Sequence, residues 1–75
     1  MDKLLDILKS IKPHLDYENE ENLVDDGLLD SFDIITIIAE LNEQFGVSIN
    51  VNSITPENLN SAKAIWKLIS RMQKQ

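Results

Sequence analysis

Apolar residues recur with the spacing of an α-helix near the start of the chain. Three of them share one face of such a helix at i, i+4 and i+7: Leu4, Leu8 and Ile11. We expect a first helix over residues 3–12, with Asp2 before it as the N-cap. Pro13 ends this helix, because the residue before a proline avoids the helical conformation.

Residues 31–45 predict a second and longer helix with a signal at each end. Asp30 is placed to accept hydrogen bonds from the first free N–H groups, and Asp33 lies three residues later, as in a capping box. Gly46 is a natural C-cap, since glycine adopts the left-handed conformation that ends many helices. We therefore expect this helix to begin at Ser31.

The second helix has three distinct faces when its residues are spaced at about 100°. The face expected in the core holds Ile34, Ile37, Ile38, Leu41 and Phe45. The opposite, solvated face holds Asp33, Thr36, Glu40, Glu43 and Gln44. The flank between them, nearest Ser31, holds Phe32, Ile35 and Ala39. Three apolar residues are thus expected beside the serine and outside the core.

Weaker patterns complete the chain. Residues 13–30 form a long acidic loop, and residues 47–54 alternate apolar and polar positions, which favours an extended segment because a lone strand has no partner. Thr55 and Pro56 indicate the start of a short third helix. Asn60 or Ser61 is then the expected cap of a last helix over residues 62–72. The predicted fold is an all-α, four-helix bundle with a short third helix, formed by residues 1–75 as one domain.

Composition and charge narrow the function classes. The chain has no cysteine, so no disulfide or thiolate metal site is expected, and no apolar run approaches the roughly 20 residues that span a bilayer. The first residues lack the features of a signal peptide, so a cytoplasmic protein without membrane insertion is expected. The net charge of −6 argues against nucleic-acid binding.

The charges are segregated along the chain. All seven basic residues lie near its ends, and the segment from residue 13 to residue 62 holds eleven acids and no Lys or Arg. Ser31 lies within this acidic segment. One side of the molecule is therefore expected to carry a negative field that steers basic partners toward it.

Catalysis at Ser31 has little support in the sequence. A nucleophilic serine needs a positioned base and an oxyanion site, but His14 is the only histidine and no G-x-S-x-G turn is present. Asp30 and Asp33 could suggest acid–base chemistry, but carboxylates that flank a helix start are expected to be caps. We expect a non-enzymatic protein.

Metal binding has little support either. A calcium-binding loop counted from Gly27 would place Val24 at a ligand position and has no Glu at its last position. Ser31 can still be a site of modification, since a phosphodiester on it would lie near free N–H groups at the positive end of the helix dipole. On physical grounds alone, a modified serine and a spare capping serine remain equally open.

The stretch DGLLDSFDIITIIAELNEQFGVSI resembles the core of the acyl carrier proteins, whose D-S-L motif begins their second helix. The matching residues are Gly27, Asp30, Ser31, Phe32, Asp33, Glu43, Phe45 and Gly46. The stretch INVNSITPENLNSAKAI is most similar to the small stand-alone carriers of the D-alanyl carrier type, including the pair Asn60-Ser61. The resemblance covers most of the chain.

The resemblance implies that Ser31 receives a 4′-phosphopantetheine arm from coenzyme A. A phosphopantetheinyl transferase (holo-carrier synthase) would attach it with Mg²⁺, and the carrier would hold an acyl or aminoacyl thioester and present it to partner enzymes. Implied partners are an adenylating acyl or aminoacyl ligase and a downstream acyltransferase or synthase. The carrier itself is expected to be a monomer. The implied partner surface comprises Asp30, Phe32, Asp33, Ile35, Ala39, Glu40, Glu43 and Glu57.

The cargo remains open at this point. Thr36 and Asn42 stand where fatty-acid carriers often have acids, which favours a specialised carrier loaded by a dedicated ligase. The candidate pathways are D-alanyl transfer to teichoic acid, nonribosomal peptide synthesis, and lipid or secondary-metabolite biosynthesis. A long acyl chain would need an apolar tunnel, expected between Ile38, Ile49, Ile54 and Leu59. Outside this class, the alternative is an unmodified acidic helical module that binds proteins.

Overall fold

A computed structural model describes residues 2–73 of the chain, and these residues fold into an all-helical bundle. In chain order, the elements are α1 (Asp2–Ile11), α2 (Ser31–Phe45), a 3₁₀ turn (Val51–Ser53), α3 (Pro56–Leu59) and α4 (Ala62–Gln73). Within the described residues there is no β-strand. The predicted four-helix architecture with a short third helix is confirmed.

Helix α1 differs from its prediction by one residue at each end. It begins at Asp2, so Asp2 contributes a negative charge to the first helical turn and is not the residue before it. The helix ends at Ile11, although the N–H of Lys12 still donates to the carbonyl of Leu8 at 2.9 Å. Pro13 follows and prevents another helical turn.

Helix α2 has the bounds that its sequence predicts, because both of its end signals are local. The Asp30 side chain accepts a hydrogen bond from the N–H of Asp33, and the Asp33 side chain accepts one from the N–H of Asp30. This reciprocal pair is the predicted capping box. At the other end, Gly46 has φ 63° and ψ 35°, the left-handed conformation that stops the helix.

The long loop between α1 and α2 is anchored to the bundle by buried side chains. Tyr17, Leu23 and Leu29 are buried in the core. The N–H of Leu23 donates to the carbonyl of Asn60 at 2.9 Å, which ties the loop to the turn before α4. Gly27 has φ 72°, so it provides the left-handed turn near the end of the loop.

The segment after α2 is extended at first and then turns. Val47 and Ile49 are buried, and the N–H of Ile49 donates to the side-chain oxygen of Asn42 at 2.9 Å, so this segment lies against α2. The extended prediction missed the 3₁₀ turn Val51–Ser53, which is capped by the Asn50 side chain. This cap satisfies main-chain groups that a lone extended segment would leave unpaired.

The starts of the last two helices follow their predicted caps. The Thr55 hydroxyl accepts from the N–H of Asn58 at the start of α3. The Ser61 hydroxyl accepts from the N–H of Ala64 at 3.0 Å, so Ser61 caps α4 and Asn60 does not.

One hydrophobic core joins the four helices, the long loop and the first residues after α2. Its largest fully buried side chains are Leu4, Leu8, Leu23, Ile37, Leu41, Ile65 and Ile69. Phe45 and Trp66 meet edge to face at the margin of this core, with ring centroids 5.9 Å apart. The core therefore fixes α2 against α1 and α4, which leaves the first turn of α2 as the exposed end that carries Ser31.

Candidate functional site

Ser31 is the first residue of α2 and is exposed. Its hydroxyl makes no hydrogen bond with any residue between 2 and 73, whereas capping belongs to the neighbouring Asp30. Ser31 therefore does not cap the helix, and the prediction of a spare capping serine is wrong. The serine presents a free hydroxyl to solvent on a fixed helical turn.

The capping box defines the surroundings of this hydroxyl. The N–H of Asp33 donates to Oδ1 of Asp30 at 2.8 Å, and the N–H of Asp30 donates to Oδ2 of Asp33 at 3.2 Å. The N–H of Ile34 then makes the first helical hydrogen bond, to the carbonyl of Asp30 at 3.0 Å. The N–H groups of Ser31 and Phe32 have no partner in the described part of the chain, and they lie where a helix attracts anions.

Asp33 is also paired with a residue from the end of α1. Nζ of Lys12 lies 2.9 Å from Oδ2 of Asp33, the only ion pair that the structure contains between residues 2 and 73. The hydrogen bond from Lys12, helped by those from Asp30, holds the pKa of Asp33 below its usual range despite some desolvation. The same hydrogen bond and the charge of Asp33 raise the pKa of Lys12.

An apolar flank extends from Ser31 along the exposed side of α2. Phe32 and Ile35 keep 81% and 67% of their surface exposed, although both are large apolar residues, and Ala39 is exposed one turn farther on. The flank between core and solvent thus lies where the helical spacing predicts it. Exposed large apolar side chains next to a candidate site are typical of a surface that a partner covers.

The acidic residues of the predicted partner surface have different surroundings. Glu43 is exposed and Glu40 is partly exposed on α2. Glu57, however, lies in the first turn of α3 and lines a surface groove with Lys63, Lys67 and Arg71. Glu57 therefore shares this groove with three basic residues of α4.

Two polar residues on α2 have local structural roles. Thr36 donates to the carbonyl of Phe32 at 3.0 Å, and Asn42 accepts from the N–H of Ile49 at 2.9 Å. A carboxylate at Asn42 would accept the same bond but would place a charge against a part-buried segment. The amide is thus suited to holding the chain after α2.

Between residues 2 and 73, no base is hydrogen-bonded to the Ser31 hydroxyl. His14 is exposed and makes no hydrogen bond with Ser31. Among residues 2–73 no cluster of three or more His, Cys, Asp or Glu side chains is arranged to hold a metal ion. None of the helices in this range has the length and apolar character needed to cross a membrane.

An apolar crevice reaches into the bundle near the start of α2. It is lined by Leu29, Ile34, Ile37, Leu59 and Ile65, and it has no room for a water molecule. Of the four residues expected around a tunnel, only Leu59 lines this crevice. Ile38, Ile49 and Ile54 do not line it. Ile49 belongs to the segment after α2, which Asn42 holds near the C-terminal end of that helix.

Three residues near the site lacked a sequence signal for their observed roles. Lys12, Tyr17 and Asn60 each make hydrogen bonds to distant parts of the chain. The sequence predicts Asn60 only as a possible cap of the last helix, and it places Lys12 only at the end of the first helix. A residue pattern shows such local roles, but it does not show which loop will pack against the residue.

Comparison with known proteins identifies a family for the chain. A family model described as phosphopantetheine attachment site matches residues 2–73. No curated protein and no solved structure matches the chain. Members of the matched family carry covalently attached 4′-phosphopantetheine, and such carrier domains are generally non-catalytic. The chain therefore belongs to the phosphopantetheine attachment site family of acyl and peptidyl carrier proteins.

Proposed function

We propose that Ser31 is the residue of this carrier that bears the 4′-phosphopantetheine arm. The observation that carries the proposal is the exposed hydroxyl of Ser31 on the first turn of α2, where neither the hydroxyl nor the N–H groups of Ser31 and Phe32 have a partner between residues 2 and 73. When attached, the arm supplies a terminal thiol that holds an acyl or aminoacyl group as a thioester. The absence of cysteine from the chain agrees with a thiol that comes from the cofactor.

The attachment reaction defines what Ser31 has to do. Its Oγ forms a bond to the phosphorus atom that bears pantetheine, the pyrophosphate P–O bond of coenzyme A breaks, and the nucleotide bisphosphate leaves. The hydroxyl proton passes to a base of the transferase, since no base of this chain bonds to Ser31 in the described residues. Mg²⁺ bound by the transferase would offset the charge of the phosphates.

The residues around Ser31 suit the product of this reaction. A phosphodiester on the first helical turn lies at the positive end of the α2 dipole, near the free N–H groups of Ser31 and Phe32. The two hydrogen bonds of the capping box join the residues on both sides of the serine. The carboxylates of Asp30 and Asp33 oppose the added negative charge, but each is engaged by hydrogen bonds.

We propose a small cargo, an amino acid or a short acyl group, for the thiol of this arm. The apolar crevice beneath the start of α2 is closed to a molecule as small as water, so this crevice offers no preformed space for a long chain. The resemblance to D-alanyl carriers supports an aminoacyl cargo, and D-alanine is the first candidate. The proposed loading partner is accordingly an adenylating ligase specific for an amino acid.

The exposed flank of α2 is the proposed docking surface for the transferase, the ligase and a downstream acyltransferase. Phe32, Ile35 and Ala39 supply apolar contact beside the arm. Glu40 and Glu43 border that contact with negative charge, which complements a basic partner. Glu57 contributes less, because basic residues of α4 line the same groove.

Mass spectrometry tests the attachment site directly. The protein is incubated with coenzyme A, Mg²⁺ and a broad-specificity phosphopantetheinyl transferase, and its intact mass is measured. The wild type should gain one arm, Ser31→Ala should gain none, and the exposed Ser48→Ala should behave as the wild type. An unmodified wild type, or a Ser31→Ala variant that still gains an arm, contradicts the proposal.

A second experiment tests the cargo. The arm-bearing protein is offered amino-acid ligases with D-alanine and other amino acids, and acyl ligases with short and long fatty acids, each with ATP. We expect thioester formation with an amino acid and little with long chains. Efficient loading by long-chain acids alone would overturn the cargo proposal. Partner binding that is unaffected by Ser31→Ala would instead favour an unmodified module that binds proteins.

A further inference from the structure

We propose that Lys12 is a positioning residue for the modification of Ser31, because it joins the buried Tyr17 to the capping box at the start of α2. The inference rests on the proposed function of Ser31. Lys12 lies just after α1. Its side-chain ammonium contacts Asp33, whereas its main-chain carbonyl contacts Tyr17. Its main chain is held by α1 and the long loop, and its side chain holds α2.

The main chain of Lys12 is bound on both sides. Its N–H donates to the carbonyl of Leu8 at 2.9 Å, and its carbonyl accepts from the Tyr17 hydroxyl at 2.7 Å. Tyr17 itself keeps only 2% of its surface exposed, so the surrounding core restricts its side chain. The same hydroxyl lies 3.1 Å from the carbonyl of Leu8. Tyr17 therefore fixes the direction in which the Lys12 side chain leaves the end of α1.

The side chain of Lys12 acts on one oxygen of Asp33. Its Nζ lies 2.9 Å from Oδ2, and that oxygen also accepts the N–H of Asp30 at 3.2 Å. The other hydrogen bond of the capping box is shorter, at 2.8 Å. The Lys12 ammonium therefore supports the longer half of the box. Without it, the Asp33 carboxylate is free to rotate toward water and leave the N–H of Asp30 unpaired.

The capping box matters to Ser31 because the serine lies between its two partners. Asp30 is the N-cap, Ser31 follows it directly, and Asp33 closes the box two residues later. A turn that opens and closes presents the hydroxyl in several orientations, whereas transfer of the arm needs one. Small errors of orientation lower a rate without changing the affinity of the reactants. Lys12 is thus expected to affect kcat for arm transfer more than KM.

The experiment compares substitutions at Lys12 with a matched substitution of a lysine in α1. Lys12→Met removes the ammonium, Lys12→Arg keeps a cation that can pair with a carboxylate, and the exposed Lys9→Met removes an equal charge from α1. Arm transfer to each variant is measured with one transferase over a range of carrier concentrations. We expect kcat to fall roughly threefold to tenfold in Lys12→Met, to recover in Lys12→Arg and to stay unchanged in Lys9→Met.

A double-mutant cycle tests whether Lys12 acts through Asp33. If it does, Lys12→Met should have little further effect in an Asp33→Asn background. The amide resonance of Asp30 in ¹⁵N-labelled protein reports the capping box, and it should shift in Lys12→Met but not in Lys9→Met. Tyr17→Phe, which keeps the ring and removes the hydroxyl, should shift the same resonance.

The outcomes separate this inference from the proposed function. Equal kcat values for Lys12→Met and Lys9→Met, or additive effects of Lys12→Met and Asp33→Asn, overturn the positioning role. A rise in KM with unchanged kcat would make Lys12 a docking residue, and it would also overturn the positioning role. If Ser31 accepts no arm, the proposed function fails, and the Asp30 resonance still decides whether Lys12 holds the capping box.

Discussion

The side-chain amide of Asn60 binds Asp25 at two points, although 35 residues separate them. Its Oδ1 accepts the N–H of Asp25 at 3.0 Å, and its Nδ2 donates to the Asp25 carboxylate at 3.0 Å. The same Oδ1 accepts the N–H of Val24 at 2.9 Å. One side chain before α4 thus holds the loop that leads into the Ser31 motif.

Asn60→Ala should destabilise the protein by about 1–3 kcal/mol, because it removes these three hydrogen bonds and leaves the part-buried N–H of Val24 unpaired. Urea denaturation followed by circular dichroism measures the change. Asn52→Ala is the matched control, since Asn52 is exposed on the 3₁₀ turn. Equal urea midpoints for the two variants would show that the loop does not depend on Asn60.

The single tyrosine gives a pH-dependent signal. Burial, together with the negative charge of Asp33, raises the pKa of Tyr17 to about 12. A phenol whose pKa is raised on folding stabilises the native state below about pH 10, and that contribution is lost as pH rises toward about 12. Tyrosinate absorbance should therefore show a midpoint near pH 12 in the native protein and near pH 10 in guanidinium.

The control for this titration is Tyr17→Phe, which should abolish the absorbance change. It should also flatten the loss of stability above about pH 10, while it lowers stability at neutral pH through the lost hydrogen bonds to Leu8 and Lys12. A native tyrosinate midpoint at the ordinary value near pH 10 would mean that the hydroxyl is accessible to water.

The elements that the sequence predicts well are those whose determinants lie close together in the chain. The capping box of α2 needs only Asp30 and Asp33, and its end needs only Gly46, so both bounds follow from spacing. The exposed flank at Phe32 and Ile35 follows in the same way from helical periodicity. The position of the candidate serine on α2 was therefore predictable.

The contacts that stabilise this turn from outside were not predictable, because they join residues distant in sequence. Lys12 and Asp33 are 21 residues apart, and Asn60 contacts a loop 35 residues away. The local sequence places Lys12 at the end of the first helix and makes Asn60 a possible cap, and it indicates no distant partner for either residue. The packing of the long loop decides between such roles, and no periodic pattern encodes it.

Gly46→Ala should destabilise the protein by about 1 kcal/mol through backbone strain alone. Gly46 has φ 63°, a conformation that an L-residue with a Cβ adopts at a cost, and an added Cβ meets nothing within 4 Å. The melting temperature should fall by about 4–8 °C for a domain of this size. Gly46→Asn should cost less, because asparagine tolerates this conformation better, and a larger loss than in Gly46→Ala would contradict the strain argument.

The proposed docking surface predicts a change in partner affinity without a change in folding. Phe32→Ser and Ile35→Ser remove side chains that are 81% and 67% exposed, so the urea midpoint should stay close to that of the wild type. Val51→Ser is the matched control, since Val51 is 78% exposed on the 3₁₀ turn and outside α2.

The kinetics of arm transfer distinguish residues of this docking surface from the positioning residue Lys12. The substitutions at Phe32 and Ile35 should raise KM for the carrier roughly fivefold to thirtyfold, in the range that loss of an interface anchor produces, while kcat changes little. Lys12→Met should lower kcat instead, because it disturbs the turn that bears the reacting oxygen. A rise in KM of the same size in Val51→Ser would show that the transferase recognises a wider apolar surface than the flank of α2.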